Sequence, residues 1–429
     1  MALVDRSLLE TAWGRLESRG QSIVREWPDA GPGEYLIFNQ NNGSVFADTF
    51  SFDGYGAVGL LWLLHAATGD SQYREYAERG ARIFSPLADV LSSHCGVAAY
   101  RSAVWGYQLT GAEELRQQGL RAAATMSRFF DPQNEVFGRH PGAPAEAVFP
   151  GEAAQESVGR AASAARPTDS AAEGGDGPNA KPKATRLGRK HRFHSVHAPA
   201  NTPARCTHID WSGFWFEVLW WAGRFEPRFG DQARRHCDAY LRLGFQRPDG
   251  SSHHGLSFDE HTGAPLEFHS NQAYSADTAW SRGQAWMLMG YAQAFEATGE
   301  RRFLDTYLRC ADYWIAHLPD DLIPFYDMSD PAVPQVPRDS CSAVIALNSM
   351  LRVCRVDSSL EDRFREVANA TLRELLDFYI TPGGIVLHGS WGADHQPMFQ
   401  GVLMFSNTYL ADAVFMGLWL DRFDEIRGF

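Results

Sequence analysis

The sequence predicts an all-α fold in which helical hairpins are chained into an α-solenoid or a closed α/α toroid. Two observations predict it. Apolar residues recur three and four apart along most of the chain, while strict period-two runs bounded by turn pairs are scarce. A helix, glycine corner, helix unit also repeats at irregular spacing. At 429 residues and 44% hydrophobic, the chain has material for a large core, and a single toroid reaches this length.

Taken in order, Met1 to Gly20 reads as an amphipathic helix with no apolar signal core. GAVGLLWLLHAATG, SQYREYAERGARIFSPLADVL and GVAAYRSAVWGYQLTG, within Gly56 to Gly111, continue the helical period. Corners are expected at Gly69, Gly111, Gly230 and Gly299, each followed by an amphipathic run. Glycine is a common stop because it takes the left-handed conformation without a Cβ clash. Leu322–Met328 and Gly383–Ser390 are candidates for short extended pieces. Residues 151–203, rich in Ala, Ser, Gly and Pro, bury too little apolar surface to offset ordering entropy. They are expected to form a disordered insertion in an otherwise single domain, with the basic run Lys181 to His197 a solvated loop.

A net charge of −13 argues against nucleic acid, which needs clustered cations, yet one arginine can still hold a carboxylate bidentately. Thirteen tryptophans serve a core, and also suit a cleft that stacks on sugar rings. The six cysteines (95, 206, 237, 310, 341, 354) form no CxxC pair and read as reduced core thiols rather than a disulfide or zinc framework. No apolar run is long enough to span a membrane. The expected compartment is the cytoplasm, and the expected state a monomer or homodimer.

Chemistry concentrates in three stretches. Cys206 to Arg224 sets Asp210 before a long apolar run. Burying an unpaired acid is costly, so Asp210 either caps the helix or is kept for reaction. His253 and His254 lie between two turn signals and read as acid/base groups, as donors to a carboxylate, or as loop histidines. Asn271 to Trp286 brings Trp280, Arg282 and Trp286 near one helix start; the arginine and rings read as a sugar-carboxylate clamp or as a cation–π pair in the core. Gln272 and Asp277 add polar groups, Asp277 as contact or cap. Asp339 or Ser340 caps the next apolar run and is read as structural. No HExxH, GxSxG, P-loop or paired CxxC is present, so no metal, nucleotide or serine-hydrolase reading follows and no cofactor is expected.

Five pieces in order, CTHID with Trp-Trp-Ala downstream, DGSSHHGLSFDEHTG, YSADTAWSRGQAW, LPDDLIPFYD with PRDSCSAVIALNSML, and SNTYLADAV, resemble the unsaturated glucuronyl hydrolases of glycoside hydrolase family 88. The resemblance covers roughly residues 50 to 415 outside the insertion. It implies a six-hairpin α/α toroid acting on oligosaccharides that carry a 4,5-unsaturated uronic acid at the non-reducing end. It implies Asp210 as the group that protonates C4 and then takes a proton from the water adding at C5. It further implies His254 and Gln272 as polar site groups, Arg282 as a carboxylate or ring contact, and Trp286 with Trp280 as aromatic contacts. Three departures stand out. Alignment on Gly96 sets His94 where the family has a second aspartate, Gly54-Tyr-Gly-Ala-Val-Gly replaces a Gly-Phe-Trp stretch, and Asp-Trp-Ser-Gly-Phe follows the acid in place of Asp-Thr-Met-Met-Asn. Rival readings are an epimerase, isomerase or saturated-uronide hydrolase using His94 and His254, and an inactive sugar-binding homologue.

Overall fold

The computed structural model describes residues 3–27, 35–39, 43–47, 54–89, 94–143, 203–390, 392, 400–401 and 403–429. Two kinds of helix alternate along the chain. One kind is largely apolar and buried on all sides: α2 (Tyr55–Thr68), α10 (Ser281–Thr298) and α12 (Ser340–Val356) are buried over nearly their whole length. The other is amphipathic: α3 (Ser71–Phe84), α9 (Pro227–Leu243), α11 (Arg301–Ala316) and α13 (Glu361–Glu374) bury one stripe. All-round apolarity needs protein on every side, and a stripe needs it on one. The first kind therefore forms an inner ring and the second an outer one.

The inner ring is completed by α4 (Cys95–Ala99), which a π turn joins to α5 (Trp105–Thr110), by α7 (Asp210–Phe214) with α8 (Glu217–Ala222), and by α14 (Met404–Leu418). Outside lie α1 (Arg6–Glu26), α6 (Glu113–Ser127) and α15 (Leu420–Arg427). Around the ring α2 packs on the π turn, α4 on α8, α7 on α10, α10 on α12, α12 on α14, and α14 back on α2. The ring is closed, so the solenoid alternative falls away and the fold is an (α/α)6 toroid.

Three of the four glycine corners sit where the sequence sets them: Gly69, Gly111 and Gly299 end helices at φ 76°, 70° and 68°. The fourth does not. Gly230 lies inside α9, which starts at Pro227, and the chain turns just before it. Proline fits the first helical turn, where no amide hydrogen is needed, so it outweighs the glycine as a boundary.

Buried charges fill the ring's interior. Arg101 meets Glu217 at 2.8 Å and Asp412 at 2.6 Å, and Arg352 meets Glu217 at 2.7 Å and Glu296 at 2.9 Å. A small antiparallel sheet stands at one mouth: β5 (Cys206–His208), β6 (Gly255–Phe258) and β7 (Pro265–His269). Short pairs β1 (Tyr35–Asn39) with β2 (Gly43–Ala47), and β3 (Phe130–Asp131) with β4 (Val136–Phe137), are also present. The stretch Gly383–Ser390 contributes β8 (Gly389–Ser390), paired with β9 (Gln400–Gly401). Leu322–Met328 makes only isolated bridges, at Phe325 and Asp327. Nearly all of the expected 151–203 insertion lies outside the described residues. Among the described residues, no helix is long and apolar enough to cross a membrane.

Candidate active site

Hairpins alternate in direction, so the inner helices all start at the same mouth. That mouth carries α4, α7, α10 and α12 by their first turns, and their aligned peptide dipoles favour a negative charge there. Asp210 is the first residue of α7, with Ile209 in the cap position and no side-chain cap bond. Its carboxylate is therefore not used to cap the helix. Gly213, one turn on, lets α7 press against α10: a Cβ there would lie 2.6 Å from the Trp286 carbonyl.

The Asp210 carboxylate faces His254, Oδ2 to Nε2 3.3 Å, and its side chain keeps 21% exposure while that of His254 keeps 3%. His254 Nδ1 lies 2.8 Å from Ser270 Oγ. That oxygen already accepts from the amides of Gln272 and Ala273 at 3.2 and 2.8 Å. With both acceptor positions used, the hydroxyl donates its own proton to Nδ1. The remaining imidazole proton then sits on Nε2, aimed at Asp210.

A second group continues the network. Arg282 is 1% exposed. It donates to Gln272 Oε1 at 2.9 Å, to the Ser390 carbonyl, and to Asp339 at 3.2 Å. It also lies over the Trp280 ring at 4.7 Å. Asp339 caps α12 through the Cys341 amide. Hydrogen bonds thus run from Asp210 through His254 and Ser270 to the Gln272 loop, then through Arg282 to the α12 cap.

Burial alone pushes the Asp210 carboxyl up, but the hydrogen bond from His254 and the nearby positive charge of Arg282 outweigh it and hold the group below its ordinary value. His94, at the head of α4, sits edge-on to Trp215 with ring centroids 5.6 Å apart. Burial lowers its pKa to about 4 despite the opposing charge of Asp210. His94, expected from the resemblance to stand at an acid's position, is thus a neutral imidazole at pH 7 within electrostatic reach of Asp210. Burial also pushes the Asp339 carboxyl up, against the pull of Arg282.

The remaining candidates separate cleanly. His253 stacks flat on Phe268 at 3.7 Å and acts as packing. Trp280 tilts against His254 at 4.7 Å. Trp286 is 1% exposed, flanked by Phe405 and Tyr409 at 5.6 and 5.7 Å; in this structure its ring belongs to the wall rather than to an open cleft. Asp277 is an exposed turn residue, and α10 starts after it with Trp280 in the cap position. Sequence reasoning missed Ser270, His208 and the part Asp339 plays beyond capping. A cavity of about 1030 Å³ lies at the far mouth, lined among others by Gln108, Gly223, Thr298 and Arg355 from the C-terminal ends of the inner helices. None of Asp210, His254, Ser270, Gln272 and Arg282 lines it.

Fold and site together define an α/α toroid with a histidine-bonded carboxylate at the mouth where its inner helices begin. The chain is 31% identical over 155 residues to an unsaturated chondroitin disaccharide hydrolase of Streptococcus pneumoniae, covering 34% of this chain and 39% of the relative. It is 30% identical over 167 residues to an unsaturated glucuronyl hydrolase of a Bacillus species, covering 38% and 44%. The matches thus span about two fifths of these relatives' length. No family model matches. The crystal structure of the Bacillus sp. GL1 unsaturated glucuronyl hydrolase superimposes with a TM-score of 0.72 at 20% identity, covering 95% of this chain and 96% of that one. An unsaturated glucuronyl hydrolase specific for heparin gives 0.71 at 20% identity, covering 99% and 98%. The likeness read from the motifs is therefore met in both sequence and fold.

Proposed function

We propose that this chain hydrates the 4,5-unsaturated uronic acid at the non-reducing end of lyase-generated oligosaccharides, with Asp210 as acid and then base. The observation that carries this reading is a partly exposed Asp210 carboxylate, bonded to His254, at a mouth whose helix termini favour anions. Asp210 transfers its proton to C4 of the enol ether, and positive charge develops at C5 and the ring oxygen. The carboxylate then takes a proton from the water that adds to C5. The C5 hemiketal opens by breaking the bond from C5 to the ring oxygen, leaving a ketone at C5 and a hydroxyl on C1; the resulting C1 hemiacetal collapses to an aldehyde and its proton leaves with the aglycone as an alcohol. One carboxylate serves both steps, so the two-acid spacing of ordinary glycosidases is not needed.

In the free protein Asp210 is held ionised. An incoming uronate adds a like charge, which raises a neighbouring carboxyl pKa, so substrate binding itself favours the protonated acid. In this reading Gln272 contacts the sugar, while His254, both ring nitrogens already bonded, holds the Asp210 carboxylate toward it. Arg282, its donors already directed to protein oxygens, positions Gln272, and Trp280 backs His254. Cytoplasmic placement as a single domain belongs to the same proposal, supported by six cysteines outside any disulfide. The test is proton NMR of an unsaturated disaccharide turned over in D2O and sampled early. The reading expects loss of the vinylic C4 signal with deuterium entering at C4. Release of the aglycone with the vinyl group intact, or deuterium entering only a saturated free sugar, overturns it.

A further inference from the structure

We propose that Cys206, His208 and His269 form a binding site for a zinc-type divalent ion beside the Asp210 carboxylate. The three come together through the register of the small sheet. Cys206 and His208 are two apart on β5, so they share one face, while Thr207 between them turns to the Phe137 carbonyl and the Tyr240 hydroxyl on the other. His208 pairs with Gly255 on β6, and Gly255 pairs with His269 on β7. The two histidines thus stand in one row with a glycine between them.

That glycine is required. A Cβ at Gly255 would lie 2.6 Å from His208 Cδ2 and 2.7 Å from His269 Nε2, contacts that real side chains do not make. Its absence lets the rings meet over the middle strand, Nε2 to Nε2 3.0 Å. Cys206 Sγ completes a set in which all ligand atoms lie within 4.8 Å of one another. Two nitrogens bound tetrahedrally to one zinc at about 2.0–2.1 Å stand about 3.3 Å apart, so the pair needs to open by only a few tenths of an ångström.

Thiolate with two imidazoles is a donor set for zinc and its neighbours in the transition series, not for magnesium or calcium, which take oxygen. Three protein ligands leave a fourth position for water. On binding, the Cys206 thiol releases its proton to solvent, and each imidazole offers the Nε2 lone pair with its proton on Nδ1. No CxxC or HxxxH spacing announces the set, because His208 and His269 are 61 positions apart and only the strand register unites them.

Cobalt(II) titration of the chelator-treated full-length protein tests this without reference to turnover. The expected result is one Co2+ per chain, with a sulfur-to-cobalt charge-transfer band and the intense visible bands of four-coordinate cobalt, all bleached by added Zn2+. Cys206→Ser should abolish the charge-transfer band. Because Cys206 is buried, His269→Gln, at a half-buried position, provides a second variant that tests the site if the first fails to fold. It should weaken binding by more than the roughly 10–100-fold that losing a ligand's own hydrogen-bond partner costs. His261→Ala, on an exposed turn, should change nothing. Saturation only at millimolar cobalt, no thiolate band in the parent protein, or a band unchanged in His269→Gln overturns the site.

Discussion

Replacing His94 by aspartate restores the acid that the resemblance places there, and its effect follows from charge. Burial brings the His94 pKa to about 4, so at pH 7 the substitution exchanges a neutral ring for a full negative charge. Two carboxylates taken at roughly 6 Å, with an effective dielectric of about 20, repel by 332/(20 × 6), about 2.8 kcal/mol. At 1.36 kcal/mol per unit, this raises the pKa of the Asp210 couple by about 2 units. The assay is kcat/KM against pH on an unsaturated disaccharide. In the parent protein, kcat/KM should fall as pH rises, because Asp210 sheds the proton the reaction needs. His94→Asp should move that limb up by about 2 units and raise kcat/KM on the limb by up to roughly 100-fold. The two acids then titrate as a couple, so the shift belongs to the pair. An unmoved limb, or one displaced downward, refutes the reasoning that His94 governs the acid through charge.

Three further outcomes follow from the same structure. Ser270→Ala removes the hydroxyl that fixes the proton on His254 Nε2 and holds the Gln272 and Ala273 amides; kcat should fall at least tenfold with a modest drop in melting temperature, read by steady-state kinetics beside a melting curve. Arg282→Met strands Asp339 in the interior, and breaking a buried pair costs roughly 3–5 kcal/mol. Urea unfolding should show the loss, and the double variant Arg282→Met with Asp339→Leu should recover much of it. Glu296, which burial alone would push up, is brought down to about 2 by Arg427, Arg352 and Arg355. A folded pKa below the unfolded one stabilises above the unfolded value, and that stability is lost as pH falls through the folded one. Acid titration of stability from pH 5 to 2 should therefore be flatter in Glu296→Gln than in the parent chain.

Helices and most corners were legible because they are local: an all-round apolar run such as Tyr55–Leu64 needs no distant partner to be read as buried. The start of α7 at Asp210 was legible on the same ground. What escaped was held by distant pairs. Arg282 and Asp339 are 57 positions apart, so Asp339 read only as a cap. The sheet under the site depends on register rather than on strong alternation, which hid His208 and His269. Pro227 displaced the Gly230 corner because both signals fall within four residues. The aromatic spacing around Arg282 left a sugar clamp and a core cation–π pair both open; the buried Arg282 over the Trp280 ring is the second, and how deep α10 sits in the ring is a property of the closed toroid that no local window contains.

The central claim is that Asp210 delivers the proton that starts hydration. Its most direct measurement is the ultraviolet absorbance of the enol ether in a panel of unsaturated chondroitin, hyaluronan, ulvan and xanthan oligosaccharides, followed with parent protein and with Asp210→Asn. The parent should abolish the absorbance of at least one oligosaccharide, and Asp210→Asn should be slower by at least roughly 100-fold with its fold intact. Full absorbance across the panel with the parent protein, or an Asp210→Asn variant as fast as the parent, contradicts it.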